Sequence, residues 1–388
     1  MQIYLDYSAT TPARSEVIAT MQETLSQRWG NPSSLHHWGQ RAATVLETAR
    51  MQVARLINAA NLEEVIFTSG GTEADNLAIM GVVGQYATPK HLIISEVEHS
   101  AVTEPVKVLE KWGWQVTRLP VNKQGRVNPL DLQASIRPNT VLVSIIYGQS
   151  EVGTLQPIKE LAEITHNRGI LFHTDAVQVV GRLPIDVQSL EIDLLSLSGH
   201  KIYGPQGSGA LYVREGVRLV PLLSGGGQEL NLRSGTQALA SIAGLGTAAE
   251  LAEAEMAIET PRLIKMRDRL FELLIDYPHL IPTGDRLHRL PHHASFSLTH
   301  TSSQVTGKTL VRQLNLAGIG ISAGSACHSG KLTPSPILLA MGYGKVAALG
   351  GIRLSLGRNT TKADVDWVAM VLKQILRRLP DPIASAKV

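Results

Sequence analysis

Ser196-Leu197-Ser198-Gly199-His200-Lys201-Ile202-Tyr203-Gly204-Pro205 is the stretch on which the reading of this chain turns. An apolar, strand-like run over 192–197 delivers a single lysine into a turn closed by Gly204 and Pro205. Ser196, Ser198 and His200 surround that lysine in sequence. A lysine at the end of a buried strand, beside an imidazole, can have its pKa lowered, and a neutral amine is a nucleophile. That combination reads as a lysine able to form a Schiff base. The competing reading is a lysine that merely ends a strand.

Outward from this stretch, short apolar runs alternate with amphipathic ones. Strands are expected at 65–68, 91–95, 114–119, 141–146, 170–174, 192–197 and 210–213. Helices are expected after Glu73 and over about 100–112 and 157–168. Such alternation predicts a mostly parallel sheet covered on both faces. Before it, Thr11-Pro12 reads as an N-cap followed by proline at the first helical position. A second amphipathic helix spans about 38–57. After the sheet, 247–275 reads as one long helix bridging two domains, and a last helix is expected near 362–378.

The 388 residues suit two domains, one large and one small. With 44% hydrophobic and 18% charged residues, a sizeable core can form and disorder is disfavoured. The net charge of +3, with no long basic run, argues against a nucleic-acid partner. The single cysteine, Cys327, rules out an intramolecular disulfide and points to a reducing compartment. The first residues lack the basic start of a secretory signal, and the longest apolar runs fall short of a membrane span. The expectation is a soluble cytoplasmic protein.

Three strand ends carry chemistry. Ser69-Gly70-Gly71-Thr72-Glu73 joins a strand to a helix, and glycines with a helix N-terminus suit a phosphate. It lacks the Gly-Lys-Ser/Thr ending of a nucleotide P-loop, and a plain helix cap is the bland alternative. His173-Thr174-Asp175 ends another strand, where ligands of open α/β sheets bind. An acid there needs a cation, although a helix N-cap is the commoner role for aspartate. Gln178 follows one turn later, and His99 opens a helix where its ring can stack on a planar group. A phosphate cradle, a buried acid and a lysine together suit pyridoxal 5′-phosphate (PLP). The histidines near 288–300 match no common zinc spacing, so no metal is expected.

The chain resembles cysteine desulfurases of the NifS/IscS type. The resemblance rests on Tyr4-Leu5-Asp6-Tyr7-Ser8-Ala9-Thr10-Thr11-Pro12, on 67–73 and on 198–205. Gly225-Gly226-Gly227-Gln228-Glu229, Arg233-Ser234-Gly235-Thr236, Ser322-Ala323-Gly324-Ser325-Ala326-Cys327 and Ile352-Arg353-Leu354-Ser355-Leu356-Gly357 continue it in family order. It implies a homodimeric fold-type I PLP-dependent transferase. Its large domain (13–260) would hold a mostly parallel seven-stranded sheet between helices. Its smaller C-terminal α+β domain (261–388, with 1–12) would carry Cys327. It further implies Lys201 as the lysine bonded to the cofactor, Asp175 at the pyridine nitrogen and His99 on the ring. Gly71, Thr72, Ser198 and His200 would hold the phosphate, with Thr236 reaching the cofactor of the partner subunit. Gln178 and Ser150 would lie near the phenolic oxygen, and Arg353 and Asn31 on the substrate carboxylate. Where the family has two asparagines, this chain has Gln149-Ser150, and serine is the shorter side chain.

The activity so implied converts L-cysteine to L-alanine and leaves the sulfur as a persulfide on Cys327. The sulfur would pass to an Fe–S scaffold or another acceptor protein. Cys327 lies in a small, polar, glycine-flanked segment beside His328, a setting that favours a reactive thiolate. The rivals are a selenocysteine lyase or aminotransferase on the same fold, and a cofactor-free interaction protein that kept it.

Overall fold

The computed structural model describes residues 2–298, 305–324 and 333–378. In chain order its first elements are β1 (Ile3–Tyr4), α1 (Ser15–Gln27), α2 (His37–Ile57), β2 (Val65–Thr68), α3 (Gly71–Val83), β3 (His91–Ser95) and α4 (Ser100–Lys111). Then come β4 (Gln115–Leu119), α5 (Pro129–Ser135), β5 (Thr140–Ser144), α6 (Ile158–His166), β6 (Leu171–Asp175), β7 (Leu194–Ser198) and β8 (Gly209–Val213). The rest are α7 (Leu239–Leu274), β9 (Leu280–Pro282), β10 (His293–Leu298), α8 (Gly307–Leu316), β11 (Ile319–Gly320) and β12 (Ser322–Ala323). They are followed by α9 (Pro336–Ala340), α10 (Lys345–Leu349), β13 (Gly351–Ser355) and α11 (Lys362–Arg378).

A seven-stranded sheet runs in the order β2-β8-β7-β6-β5-β3-β4. All its pairings are parallel except those of β8, which is antiparallel to both neighbours. Every residue of β2, β3, β7 and β8 is buried, whereas the edge strand β4 is partly exposed. Unbroken burial follows from helices on both faces, which is why these strands read as continuous apolar runs. On one face Val45, Val53 and Ile57 of α2 and Leu245 and Ala248 of α7 pack over Phe67, Ile93, Phe172 and Leu195. On the other, Leu77 and Val82 of α3 and Val102 and Val106 of α4 cover Ile66, Leu92, Leu142 and Leu211.

A second, antiparallel sheet has the order β12-β13-β10-β9. Its core joins Phe296, Ile352 and Leu354 to Val365 and Leu372 of α11 and to Leu263, Leu270 and Phe271 of α7. Ile3 and Leu5 pack in this same core, and β1 pairs in parallel with β11. The 36-residue α7 therefore contributes its first part to the large sheet and its last part to the small one. Among the described residues no helix is long and apolar enough to cross a membrane.

Beyond shifts of one or two residues at other element ends, two boundaries differ from the sequence reading. Helix α7 begins at Leu239 rather than 247, because Gly244 and Gly246 lower the local helix signal. Those glycines are there for packing: a Cβ added at Gly246 would lie 2.6 Å from the Cα of Ala49 on α2. Thr11 does not cap α1, which starts at Ser15 with Arg14 as its N-cap. The Thr11 hydroxyl instead donates to the His200 carbonyl at 2.8 Å and accepts the Tyr203 N–H at 2.7 Å. A long-range tie to the lysine turn has taken the hydroxyl that the cap reading assigned locally.

Candidate active site

Strand register gathers the chemical residues at one edge of the large sheet. Thr68 pairs with Gly209 and Gly209 with Ser198, so the loop after β2 lies beside the turn after β7. Asp175 pairs with Ser196, which sets the end of β6 next to that same turn. The turn is a single 3-10 element, Gly199–Lys201, and it swings Lys201 over the strand ends.

The Lys201 Nζ donates to the carbonyls of Ser8 (2.7 Å) and Ala9 (2.8 Å). Burial, and then the Arg353 charge, lower its pKa to about 8, against the opposing pull of Asp175 and Asp6. A buried amine near neutrality is the state a nucleophilic lysine needs. His200 has a role of its own here. Its Nδ1 lies 3.1 Å from the Thr10 hydroxyl, and burial followed by the Lys201 charge lowers its pKa to about 4. It is thus a neutral imidazole.

Asp175 is 5% exposed, and its Oδ1 accepts the Val177 N–H at 3.0 Å. No ion pair joins it among the described residues. Burial raises its pKa, while His99 and Lys201 pull it down. His99 caps α4, accepting the Ala101 N–H at 3.2 Å, with its ring exposed at the site. Ligand atoms of Asp75, His99 and Asp175 all lie within 4.8 Å of one another. Asp75, on α3, is fully buried; burial and then the Asp175 charge raise its pKa, and its Oδ1 has no hydrogen-bond partner. A third buried acid, Glu98, is pushed up to about 8 by burial. Its Oε1 accepts the Ile146 N–H at 2.9 Å while its Oε2 has no partner. This corner therefore carries more acid than cation.

The loop after β2 is shaped for close approach. Gly70 has φ 156°, a conformation L side chains rarely adopt. It opens α3, whose first turn presents exposed Thr72. Gly71 lies against Ser198: a Cβ added there would stand 3.6 Å from the Ser198 Cβ. Glu73 braces the loop, accepting the Ser69 N–H and pairing with Arg233, both at 2.9 Å. Gln178, also buried, donates to the Ser8 carbonyl at 2.9 Å, the oxygen that Lys201 uses.

Arg353 comes from β13 of the second sheet. Its Nη2 pairs with Asp6 at 2.7 Å and its Nη1 donates to the Ser150 carbonyl at 3.0 Å. Its Nε is buried without a partner. Gln149 braces the turn beneath it: its Oε1 accepts the Val152 N–H at 2.9 Å and its Nε2 donates to the Val97 carbonyl at 3.3 Å. The next acid, Glu151, is raised to about 8 by burial and receives the Ser335 hydroxyl. Two sequence candidates are not brought in by any contact among the described residues. Asn31 bonds within its own loop, to the Ser33 N–H at 3.0 Å, and Thr236 is exposed after β8. Cys327 lies outside the described residues.

Sequence reasoning did not single out Asp75, Glu98 or Glu151 as site residues. One usable signal was the adjacency of Glu98 and Glu151 to residues already suspected, His99 and Ser150. The arrangement fits PLP. Buried Asp175 lacks a bonded cation, the N-terminal turn of α3 offers free N–H groups and a hydroxyl, and Lys201 supplies the amine.

The sequence matches the aminotransferase class-V family over residues 3–368. It is 46% identical over 382 residues to a cysteine desulfurase IscS of Dictyoglomus turgidum, covering 97% of this chain and 95% of that protein. Among solved structures, a NifS-like protein superposes with a TM-score of 0.91 at 34% identity, covering 98% of this chain and 100% of the other. SspA, solved in complex with cysteine, superposes with a TM-score of 0.80 at 36% identity, covering 92% and 99%. The fold is therefore the fold-type I architecture expected from sequence, and the chain belongs to the class-V aminotransferase family, among relatives named cysteine desulfurase IscS.

Proposed function

We propose that this chain is a PLP-dependent cysteine desulfurase that converts L-cysteine to L-alanine and collects the sulfur as a persulfide on Cys327. The observation that carries the reading is the placement of Lys201 between two oppositely charged groups, buried Asp175 on β6 and Arg353 on β13. When bound, PLP supplies an electron-withdrawing ring that stabilises charge developing at the substrate α-carbon.

The chain's own residues have separable tasks. Asp175 would face the ring nitrogen of PLP, and His99 the ring. Gly71, Thr72, Ser198 and His200 would hold its phosphate at the α3 N-terminus, where free N–H groups favour an anion. Gln178 and Ser150 would serve the phenolic oxygen. Arg353, with Asn31, takes the substrate carboxylate, and the unpartnered Arg353 Nε–H supports that assignment. Lys201 Nζ takes the α-proton, and its lowered pKa suits a base working near neutrality. The Cys327 thiolate attacks the substrate sulfur. The S–S bond forms as the C–S bond breaks, and the electron pair left on the substrate is protonated on the way to alanine.

The same reading makes the molecule a homodimer in which Thr236 reaches the partner subunit's cofactor. Exposed Leu222, Leu223 and Leu230, in the segment that precedes Thr236 in sequence, support it. It divides the chain into 13–260 and 261–388 with 1–12, a division supported by the separate apolar cores. The sulfur acceptor is an Fe–S scaffold or another carrier protein, and a reducing cytoplasm suits persulfide chemistry.

The test is Cys327→Ala. The purified variant is expected to be yellow and to bind cysteine, and to form no persulfide on addition of L-cysteine, measured by alanine and sulfide release with mass spectrometry of the protein. Persulfide or sulfide production at the wild-type rate overturns the assignment.

A further inference from the structure

Asp6 has no part in the tasks above, yet its carboxylate is the group bonded to Arg353. Its Oδ1 accepts Arg353 Nη2 at 2.7 Å, and its Oδ2 accepts the Ser322 hydroxyl at 2.9 Å. The Asp6 backbone is bridged to Ser355, on the strand that carries Arg353, and its carbonyl accepts the Tyr4 hydroxyl at 3.0 Å. The two side chains are 18% and 11% exposed, so water does little of the holding. On the other edge of the guanidinium, Nη1 is taken by the Ser150 carbonyl, which also accepts His293 Nε2 at 3.1 Å. Only the Nε–H is both buried and without an acceptor among the three guanidinium nitrogens.

A buried donor with no acceptor is unfavourable, and marks where an incoming acceptor belongs. An arginine side chain is also long and free to rotate, so fixing it before a ligand arrives lowers the entropic cost of binding. Against this stands the charge of Asp6, which repels an incoming carboxylate. That charge is already shared between the Arg353 guanidinium and the Ser322 hydroxyl, and Arg353 keeps donors to spare. Preorganisation therefore outweighs repulsion.

We propose that Asp6 is a positioning residue for substrate recognition: with the Ser150 carbonyl it locks the Arg353 guanidinium so that its free Nε–H edge is presented to the α-carboxylate of the amino-acid substrate. The inference rests on the assignment of Arg353 as the carboxylate-binding group. Asp6 acts through Arg353 and touches no reacting atom.

The experiment uses holoenzyme and L-alanine, which carries the same α-carboxylate without a thiol, with binding followed by the cofactor's absorbance. Four proteins are compared with the wild type: Asp6→Asn, Asp6→Ala, Arg353→Lys and the double variant Asp6→Asn/Arg353→Lys. Losing a charge-assisted partner should weaken L-alanine binding roughly tenfold in Asp6→Ala and less in Asp6→Asn, which keeps an acceptor. The KM for cysteine should rise in parallel and kcat fall less than KM rises. In the Arg353→Lys background, Asp6→Asn should add less than about twofold, because a residue acting through another shows non-additivity. If Asp6→Ala does not fold, the near-isosteric Asp6→Asn carries the test. Unchanged or tighter binding in the Asp6 variants, or fully additive effects, overturns the inference while leaving Arg353 in place. Normal L-alanine binding by Arg353→Lys overturns the Arg353 assignment itself, and the inference with it.

Discussion

The site has two walls of opposite character. On the large-sheet side stand Asp75, Glu98 and Asp175, three buried acids whose pKa values burial raises. On the small-sheet side stand Arg353, His292 and His293, of which burial holds the two histidines neutral. One wall is short of a cation; the other holds Arg353, already paired with Asp6 but with its Nε–H unused. A pyridinium ring supplies the cation and an amino-acid carboxylate an acceptor for that donor, and Lys201 sits between the walls. A ligand with both charges in the right order is favoured at both faces, whereas either charge alone satisfies only one. Two carboxyl groups as close as those of Asp75 and Asp175 cannot both ionise cheaply, so the Asp175 charge adds to burial in raising the Asp75 pKa, and a cation is favoured at this wall.

The most damaging way to break this contrast is Asp175→Asn, which keeps the shape and removes the charge. Steady-state assays of alanine release should show kcat falling by ~10²–10³, the usual scale for losing one electrostatic contact in a preorganised site. An Asn variant within threefold of wild type would mean that Asp75 or Glu98 supplies the charge. Next in size is the pH response of Lys201. With a pKa near 8 rather than the ordinary 10.5, about half of the amine is neutral at pH 8, roughly 10²-fold more than for an unperturbed lysine. Capture of PLP by the apo protein, followed by stopped-flow absorbance, should accelerate with a midpoint near pH 8 and level off above it. A midpoint near 10 would show that burial does not desolvate the amine.

A stability test sharpens the acidic side. Glu98 is held neutral in the folded chain up to about pH 8, against 4.5 for a free carboxyl. A raised pKa means its contribution is complete below pH 4.5 and is lost as pH rises through 8. Glu98→Gln should remove that slope in the apo protein, a difference of order 2–4 kcal/mol between pH 5 and 9 by urea denaturation. The smallest expected effect lies at the seam between the walls. Thr11→Val removes the hydroxyl that ties the N-terminal segment to the lysine turn and should cost about 1–2 kcal/mol of stability, with the cofactor spectrum unchanged.

Much of the fold was legible because buried parallel strands read as short unbroken apolar runs, and β2 and β3 lie where that signal put them. Lys201 and Asp175 stood out because each ends such a run, where a charge needs a reason. The helix start at Thr11 was misread because its hydroxyl has partners near residue 200 that no local pattern reveals. Asp75 was invisible for a related reason: an acid in the first turns of a helix looks solvated until the sheet is folded beneath it. The Asp6–Arg353 pair spans almost the whole chain, so neither partner hints at the other.

The pairing of β1 with β11 has a kinetic meaning. Ile3 aligns with Ile319, and Asp6 meets Ser355, so this strand closes contacts of very long sequence separation. The carbonyls of Ser8 and Ala9 that hold Lys201 belong to the same segment. Loops that long close slowly, so the anchoring of the lysine is tied to the slowest class of contact in the molecule.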